Sequence, residues 1–354
     1  MPANNFAPLR RKLLRWYDAQ RRDLPWRRTR DPYAIWISET MLQQTQVATV
    51  IPYYERFMKA FPTPALLAQA PLKKVLTLWS GLGYYRRAEN LQRAAETIAR
   101  EHGGELPNRY DALRALPGVG DYTAGALMSI AFDQRYPAVD GNVRRVLSRL
   151  FALTDEKTLR SQAATLVPHH HPGDFNQALM ELGATVCAPS APSCAACPFE
   201  QCCASRRNPS AVSIPGTKKH LHQTRVAWPL AIVWRNGKIL LRRRPKDRLL
   251  AGMWELPGVE LKKRETLQQA LGAELRTIDC HNATPRKIGT LRHAITHRNI
   301  HAPVFLVTLA DHKEIRLPSS NWRWVAPASL HRYPTSSMTA KALKIFTAHE
   351  KASL

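Results

Sequence analysis

The chain has 354 residues and carries 52 lysines and arginines against 27 aspartates and glutamates, a net charge of +25. This length predicts two domains, each large enough for its own core. So large a positive excess favours nucleic acid as partner over a basic protein of another kind. Apolar runs stay short of the ~20 residues of a membrane span, and residues 1–20 lack a signal-peptide core. We therefore expect no membrane partner, and clustered thiols without a secretion signal predict a cytoplasmic protein that associates with the nucleoid through DNA binding.

In residues 1–205 apolar residues recur at helical spacing, and Gly or Pro interrupts the pattern about every 12–20 residues, which predicts an all-helical segment. The N-terminal segment predicts an amphipathic helix with Leu9, Leu13 and Leu14 on one face. Aspartate before proline is a good helix start, because the carboxylate caps the helix and proline fits its first turn. Further helix starts are predicted at Asp31-Pro32, at Asp121, near Asn142 and near Asp174.

Residues 206–226 are polar and contain two prolines, which indicates a linker. Beyond it, residues 227–354 show the pattern of a mixed α/β domain. Asn236-Gly237 lies between apolar runs at 230–234 and 238–241, the strongest short signal for a β-hairpin. Further elements are predicted as strands at 303–309 and 322–325 and as helices near 264–275 and 337–348.

Four cysteines lie within the short segment 187–203 and read C-x6-C-x2-C-x5-C: Cys187, Cys194, Cys197 and Cys203. Thiols so close in sequence, in a reducing compartment, suit a metal site or an iron–sulfur cluster better than disulfides. Zinc is the alternative to a cluster. Cys202 and Cys280 fall outside the spacing, and we expect ordinary core or surface positions for them.

The segment LPGVGDYTAGA at 116–126 places Gly118 and Gly120 in a turn between two helices, where backbone N–H groups can approach an anion. Together with Asp140-Gly141-Asn142, the segment resembles the helix-hairpin-helix DNA glycosylase superfamily. The resemblance implies that the hairpin amides hold a DNA phosphate and that Asp140 is catalytic. Asp140 is also suited to capping the helix that starts near Asn142. The cysteine spacing resembles the iron–sulfur members, which implies one 4Fe–4S cluster.

The segments TRDPYAIWISETMLQQTQV at 29–47 and GLGYYRRA at 81–88 resemble the MutY family of adenine DNA glycosylases. By this resemblance, Glu39 is the general acid, a role that requires a dry pocket and a raised pKa. Asp140 stabilises the sugar cation, while Tyr122 and Asn142 order the catalytic groups by hydrogen bonding. The alternative for Glu39 is a solvated carboxylate on a helix surface.

The same resemblance implies a set of residues that contact DNA or the extruded base: Arg28, Gln44, Thr45, Tyr84, Gly118, Gly120, Gln177 and Glu181. Gln44 and Tyr84 would enter the base stack and offset the cost of extruding a nucleotide. Gln177 and Glu181 would recognise the adenine edge. Core packing for Tyr84, and a plain solvated helix face for Gln177 and Glu181, are the alternatives.

Position 122 separates two branches of the superfamily. Endonuclease III-like glycosylase/lyases for oxidised pyrimidines have a lysine nucleophile there, whereas this chain has tyrosine. Without that amine we expect a monofunctional glycosylase, with the lyase as the alternative.

In the second domain, AGMWELPGVEL at 251–261 resembles the start of a Nudix fold. The helix that should hold magnesium has too few acids at 265–276, so pyrophosphate hydrolysis is not expected. In adenine glycosylases this domain reads 8-oxoguanine with a Phe-Ser-His loop. Here Ile295 replaces the aromatic residue, while Thr296 keeps a hydroxyl group and His297 is retained.

The expected protein has an all-α helix-hairpin-helix domain with a 4Fe–4S loop, followed by an α/β Nudix-like domain. Its expected substrate is double-stranded DNA with adenine opposite 8-oxoguanine or guanine, and other repair proteins are possible partners. One catalytic set per chain makes a monomer sufficient. The competing classes are a nucleotide pyrophosphohydrolase and a non-enzymatic DNA-binding protein.

Overall fold

The structure is a computed structural model, and it divides the chain into two compact units. The first unit comprises residues 1–70 and 86–219, and the second comprises 71–85 and 220–354. The residues that the structure describes are 6–208, 224–245, 252–262, 264–280, 284–295, 298–310, 317 and 319–352.

The first unit is helical, as its sequence predicts. Its α-helices are α1 (Ala7–Gln20), α2 (Pro32–Leu42), α3 (Val47–Ala60), α4 (Pro64–Gln69), α6 (Arg86–Glu101), α7 (Tyr110–Ala115), α8 (Asp121–Ile130), α9 (Gly141–Phe151), α10 (Glu156–Leu166), α11 (Pro172–Thr185) and α12 (Ala204–Arg207); α5 (Leu72–Trp79) belongs to the second unit. Among the described residues, none of the helices is both long and apolar enough to cross a bilayer.

Side-chain caps are present, as predicted, at the starts of α2 and α9. Asp31 caps α2 by accepting hydrogen bonds from the amides of Tyr33 and Ala34. Helix α8 begins at Asp121, as predicted. The start predicted near Asp174 lies earlier: α11 begins at Pro172, because proline at the first helical position supplies the signal instead.

Helix α1 packs into a core with α9 and α11. Leu9 and Leu13 are buried in this core as predicted, and Leu14 packs against its edge. Phe199 and the partly buried Cys187 belong to the same packed region. The cysteine loop is therefore held against the ends of α9 and α11 by apolar contacts.

The second unit contains one mixed sheet with a helix on each face. Its strands are β1 (Thr224–Ala227), β2 (Leu230–Arg235), β3 (Lys238–Arg243), β4 (Trp254–Glu255), β5 (Arg286–Ile295), β6 (Arg298–Thr308) and β7 (Trp322–Val325), and its helices after the strand β4 are α13 (Leu267–Arg276) and α14 (Ser337–Ala352). The order β1-β6-β2-β3-β4 is extended by β5 beside β6 and β7 beside β3. Strand β6 pairs parallel with β1 and β2, and the other pairs are antiparallel.

Alternation along β2 places neighbouring side chains on opposite faces of this sheet. Ile232 faces the cluster that contains Phe346 of α14, and Val233 faces the cluster that contains Leu271 of α13. The hairpin predicted at Asn236-Gly237 is confirmed, with positive φ at both residues, as a type I′ turn requires. Strand β1 begins at Thr224, inside the range predicted as linker.

The segment 71–85 interrupts the helical unit in sequence but groups with the second unit. Ser80 explains part of this: its hydroxyl donates to the carbonyl of Thr335 (2.6 Å) and accepts from the Thr335 amide (3.2 Å). The hydroxyl of Tyr85 donates to the same carbonyl at 3.1 Å. Helical periodicity gave no sign of this grouping, because it depends on bonds between residues 250 or more positions apart.

Candidate active site

A cleft of about 860 Å³ lies within the first unit and brings together most of the predicted catalytic and base-contacting residues. It is formed by the end of α2, the turn before α8, the start of α9 and one face of α11. The predicted residues that line it are Glu39, Gln44, Thr45, Gly118, Gly120, Tyr122, Asp140, Asn142, Gln177 and Glu181.

Glu39 is buried in the middle of α2, with 5% of its surface exposed, so the solvated-helix alternative is wrong. Burial raises the pKa of its carboxyl to about 7, and the nearby charge of Asp140 acts in the same direction. The hydroxyl of Tyr122, which donates to Glu39 Oε2, and the charge of Arg27 oppose the rise. A carboxyl with this pKa retains its proton in a large fraction of molecules at neutral pH.

Asp140 is the N-cap of α9. Its Oδ1 accepts from the Val143 amide at 2.7 Å, and its Oδ2 accepts from Asn142 Nδ2 at 3.0 Å. On balance the pKa of Asp140 is raised: burial raises it, and these hydrogen bonds, which favour the anion, offset only part of the rise. Helix capping and a place in the cleft therefore coexist at this residue.

Tyr122 lies in the first turn of α8, where its phenol contacts both Glu39 Oε2 and, at 3.5 Å, the sulfur of Met180. Burial, followed by the charges of Glu39 and Asp140, raises its pKa well above the usual value. The phenol therefore stays protonated, and its O–H group donates a hydrogen bond to the Glu39 carboxyl group. Among the described residues that line the cleft, none is a lysine.

Gln44 is presented by a tight turn that follows α2. Its backbone is left-handed, with φ of 58°, a region that few non-glycine residues adopt. The Thr45 amide donates to the carbonyl of Leu42 at 3.2 Å, which closes the turn. Thr45 also accepts a hydrogen bond on its hydroxyl from Arg87 at 3.2 Å.

The hairpin glycines occupy positions where the backbone geometry matters. Gly118 has φ of 80°, and a Cβ there would lie 2.8 Å from Cβ of Asn90. Gly120 is the N-cap of α8, so the unpaired amides of the first turn follow it directly. These amides are suited to an anion such as a phosphate.

Glu181 lines the cleft from α11 but is 1% exposed and held by two arginines. Arg22 makes a two-pronged contact at 2.6 and 2.7 Å, and Arg27 adds a bond at 2.8 Å. Burial opposes ionisation, but these bonds outweigh it and lower the pKa of Glu181 to about 2. Gln177 is half-buried. The plain solvated-face alternative is therefore wrong for Glu181, and the role of Gln177 stays a prediction.

Two other predicted DNA contacts are exposed. Tyr84, in the second unit, is 47% exposed with φ of 48°, so its core-packing alternative is wrong. Arg28 pairs with Asp23 on the surface, through Nε to Oδ1 at 2.8 Å. Thr296 and His297 lie outside the described residues, between the end of β5 and the start of β6.

The four spaced cysteines line one cavity of about 250 Å³ and are free thiols. In the described part of the chain, no group of three Cys, His, Asp or Glu residues converges on a single-ion site. Burial raises the pKa of Cys197 to about 12, and the other three thiols of the set add to the rise. Arg149 bridges two of them: it donates to Cys187 Sγ at 3.5 Å, and its carbonyl accepts from Cys203 Sγ at 3.4 Å.

Arg145 connects the cysteine loop to the catalytic end of α9, a role that the sequence did not reveal. It donates to the carbonyl of Cys187 (2.7 Å), to Asn142 Oδ1 (2.8 Å) and to the carbonyl of Gly183 (2.7 Å). Its position on α9, three residues after Asn142, was the available signal, because residues at this spacing share a helix face.

In the second unit, a separate pocket contains the few buried acids of the Nudix-like region. Glu255 and Glu274 are both bonded to Arg242, at 3.0 and 2.5 Å, and Arg244 also pairs with Glu255. The guanidinium groups therefore occupy the acids that could otherwise bind a cation.

Known proteins match both halves of the chain. Residues 37–169 match the HhH-GPD superfamily of base excision DNA repair proteins, and residues 230–344 match the NUDIX domain. Among solved structures, a thermostable thymine-DNA glycosylase is 33% identical, with a TM-score of 0.54 over 56% of this chain and 95% of that chain. An endonuclease III–DNA complex at 24% identity and TM-score 0.51 supports the fold.

Over nearly the full length, the chain is similar to proteins named adenine DNA glycosylase. The protein of Rattus norvegicus is 36% identical over 97% of this chain and 78% of its own length. The protein of Homo sapiens is 37% identical over 95% and 73%. That of Buchnera aphidicola subsp. Schizaphis graminum is 31% identical over 94% and 97%. With its helix-hairpin-helix domain followed by a Nudix-like domain, this chain belongs to the adenine DNA glycosylase family.

Proposed function

We propose that this protein is a monofunctional DNA glycosylase that removes adenine paired with 8-oxoguanine or guanine and so begins base excision repair. The observation that carries the proposal is Glu39: a buried carboxyl with a pKa near 7, in one cleft with Asp140. Family membership supports the adenine specificity, and the net charge of +25 suits a DNA-binding enzyme.

The proposed reaction begins with a proton transfer from the Glu39 carboxyl to N7 of the extruded adenine. The bond between C1′ and N9 then breaks, and its electron pair leaves with the purine. The positive charge that develops on the sugar is stabilised by the Asp140 carboxylate. Water adds at C1′ and returns a proton to Glu39, which leaves an abasic site. Opposite protonation states in two neighbouring acids are the arrangement that such a reaction requires.

Among the described residues that line the cleft, none offers an amine nucleophile, and this supports a monofunctional enzyme. Tyr122 supplies a protonated phenol at the hairpin position, and the arginines of the cleft do not lose their charge at neutral pH. No Schiff base with C1′ is therefore expected from the described cleft residues, and the strand should stay intact until it is treated with alkali.

DNA binding is assigned to the hairpin and nearby residues of the first unit, and to Tyr84 of the second unit. Amides after Gly118 and Gly120 hold a phosphate, with Arg28 and Thr45 beside the DNA. Gln44 and Tyr84 enter the base stack, and both have the strained backbone that functional positions tolerate. Gln177 contacts the adenine edge, while Asn142 orders Asp140. Glu181, fixed by its arginines, offers its remaining acceptor capacity to the base.

We assign one 4Fe–4S cluster to Cys187, Cys194, Cys197 and Cys203. A cavity of 250 Å³ with mainly apolar walls offers room for a group of several atoms, and four thiolates are the usual ligand set of such a cluster. When bound, the cluster would fix the loop that packs against α9 and α11. Arg145 and Arg149 donate hydrogen bonds to this loop and help to position it.

Reading of the base opposite adenine is assigned to the second unit, with Thr296 and His297 as the contacts. The Thr296 hydroxyl can bond the lesion base. In a Thr296→Ala variant we expect reduced discrimination between 8-oxoguanine and guanine opposite adenine. An unchanged preference would move the reading role to another residue.

The direct test of the catalytic assignment is the Glu39→Gln variant. It keeps the size and the hydrogen-bond acceptor of the side chain, but its amide has no proton acidic enough to transfer to N7. We expect binding of mismatched DNA close to that of the wild type and a loss of adenine release of at least about 10²-fold. Full activity in this variant would overturn the assignment.

A further inference from the structure

The turn that presents Gln44 is tied to Arg87, a residue 43 positions later on α6. One guanidinium nitrogen, Nη1, donates to the backbone carbonyls of Thr40 (2.8 Å), Met41 (2.9 Å) and Gln43 (2.6 Å). The other, Nη2, donates to the Thr45 hydroxyl at 3.2 Å. Arg87 therefore contacts the end of α2 and both neighbours of Gln44.

Arg87 supplies hydrogen-bond donors to backbone carbonyls at the end of α2. The last carbonyls of an α-helix have no partner within the helix, and they carry partial negative charge. A planar guanidinium can satisfy several of them from fixed directions, which an ammonium group does less well. Because Gln44 has a left-handed backbone, its conformation must be imposed by the surrounding contacts. Arg87 supplies contacts on both sides of it.

The same turn is part of the catalytic cleft. Residues 42–47 line it together with Glu39, which lies one helical turn before the end of α2. A displacement of the end of α2 would therefore move the side chain of Gln44 relative to the general acid. Arg87 itself is absent from the cleft lining among the described residues.

We propose that Arg87 is a positioning residue: its guanidinium holds the turn 43–45 in the conformation that directs Gln44 into the DNA stack. This inference rests on the proposed function, because it takes Gln44 to be a residue that enters the DNA. Arg87 acts through Gln44 and does not touch the reacting atoms.

The test compares Arg87→Met and Arg87→Lys with Arg86→Met, in the full-length, cluster-containing protein. Arg86 is the exposed neighbour on the same helix and has the same charge, so it controls for a general loss of basic charge. Single-turnover adenine release at saturating enzyme is measured, together with binding to an undamaged duplex. Fluorescence of 2-aminopurine placed beside the target adenine follows base extrusion.

We expect Arg87→Met to slow both extrusion and adenine release by about tenfold or more, as loss of several hydrogen bonds to one charged group predicts. Binding to undamaged DNA should change less than about twofold, because phosphate contacts dominate it. Arg87→Lys should restore part of the rate, and Arg86→Met should release adenine at the wild-type rate.

A double-mutant cycle with Gln44→Ala separates positioning from a general structural effect. In the Gln44→Ala background, Arg87→Met should add little to the defect. An equal loss in both backgrounds, or no loss in the wild-type background, would overturn the inference. If the wild-type enzyme releases no adenine, the proposed function itself fails; normal wild-type release with an inert Arg87 sinks only this inference. If Arg87→Met does not fold, the same cycle with Gln44→Ala is measured with Arg87→Lys in its place.

Discussion

The hydroxyl of Tyr122 donates a hydrogen bond to Oε2 of Glu39, which joins the start of α8 to the middle of α2 across 83 positions of sequence. Burial raises the pKa of Glu39, and this bond lowers it, so that the value of about 7 is a balance between the two. Tyr122 thus lowers the pKa of the proposed general acid and opposes the larger effect of burial.

Removal of that bond should shift the pH dependence of catalysis. In Tyr122→Phe, the pKa of Glu39 should rise, because the interaction that favoured its anion is lost. The high-pH decline in single-turnover adenine release should therefore move to higher pH, alongside a lower maximal rate. Tyr110→Phe, which removes a phenol from the exposed contact with Asp121, is the matched control. If the high-pH decline in adenine release stays at the same pH in Tyr122→Phe, the proposed effect of Tyr122 on the pKa of Glu39 is contradicted.

Glu39 should also lower the free energy of unfolding at high pH, where its buried carboxyl is ionised. Its pKa is about 7 in the folded protein and about 4.5 in the unfolded chain. Below the unfolded value both states are protonated; as pH rises from there through 7, only the unfolded state readily loses the proton, and folding stability falls. Glu39→Gln, which does not titrate, should therefore gain stability relative to wild type, on the order of 3 kcal/mol, between about pH 4 and pH 9. Chemical denaturation at several pH values measures this gain, and a constant difference would refute it.

Ionisation of Glu181 should stabilise the fold, the opposite of the effect expected for Glu39. The pKa of Glu181 is lowered to about 2 in the folded protein, so its pairing with Arg22 and Arg27 stabilises the fold fully above about pH 4.5. That contribution is lost as pH falls towards 2. Glu181→Gln should lose on the order of 3 kcal/mol of unfolding free energy at neutral pH, the lower end for a buried pair, because it leaves Arg27 and the half-exposed Arg22 without their counter-charge. The loss should shrink in acid. Glu156→Gln removes an exposed carboxylate bonded to Arg160, and about 1 kcal/mol or less is expected there.

Gly183 allows α11 to approach the catalytic end of α9. A Cβ at this position would lie 2.5 Å from Cβ of Asn142 and 3.0 Å from its backbone. Gly183→Ala should therefore cost about 1–3 kcal/mol of stability and slow adenine release, since Asp140 and Asn142 must shift. Gly272→Ala in α13 is the control, because its Cβ would meet only Arg276 Nη1 at 3.6 Å. Thermal unfolding and single-turnover rates distinguish the two, and equal behaviour would contradict the packing argument.

The cluster assignment predicts which cysteines bind iron. Wild-type protein purified without oxygen should contain about four iron atoms and four acid-labile sulfides per chain. Cys197→Ser should lose most of the iron, because Cys197 lines the shared cavity. Cys202→Ser should retain it, since its thiol lies outside that lining and bonds the carbonyl of Phe199 at 3.4 Å. Full zinc occupancy in place of iron would contradict the cluster.

Structural features that depend only on neighbouring residues were predicted from the sequence. The helix caps at Asp31 and Asp140 and the hairpin at Asn236-Gly237 are confirmed, because each depends on neighbouring residues only. The two-domain fold class is also confirmed, from periodicity together with family resemblance. The four cysteines were identified by spacing, and the structure brings them to one cavity.

Long-range bonds explain what the sequence did not reveal. The bonds of Ser80 to Thr335, of Arg145 to the carbonyl of Cys187 and of Glu181 to Arg22 all join residues far apart in sequence. Each uses an ordinary hydroxyl, guanidinium or carboxylate that would be unremarkable on a surface. Only the packed fold decides that these groups are buried together, and so no local pattern indicates them.

The central claim is tested most directly by single-turnover adenine release from duplexes with adenine opposite 8-oxoguanine, guanine or thymine, scored with and without alkali. We predict fast release opposite 8-oxoguanine, slower release opposite guanine, little opposite thymine, and strand breaks mainly after alkali. Absence of release from every duplex by cluster-loaded protein would contradict the proposed activity. Breaks that form without alkali would contradict the monofunctional mechanism.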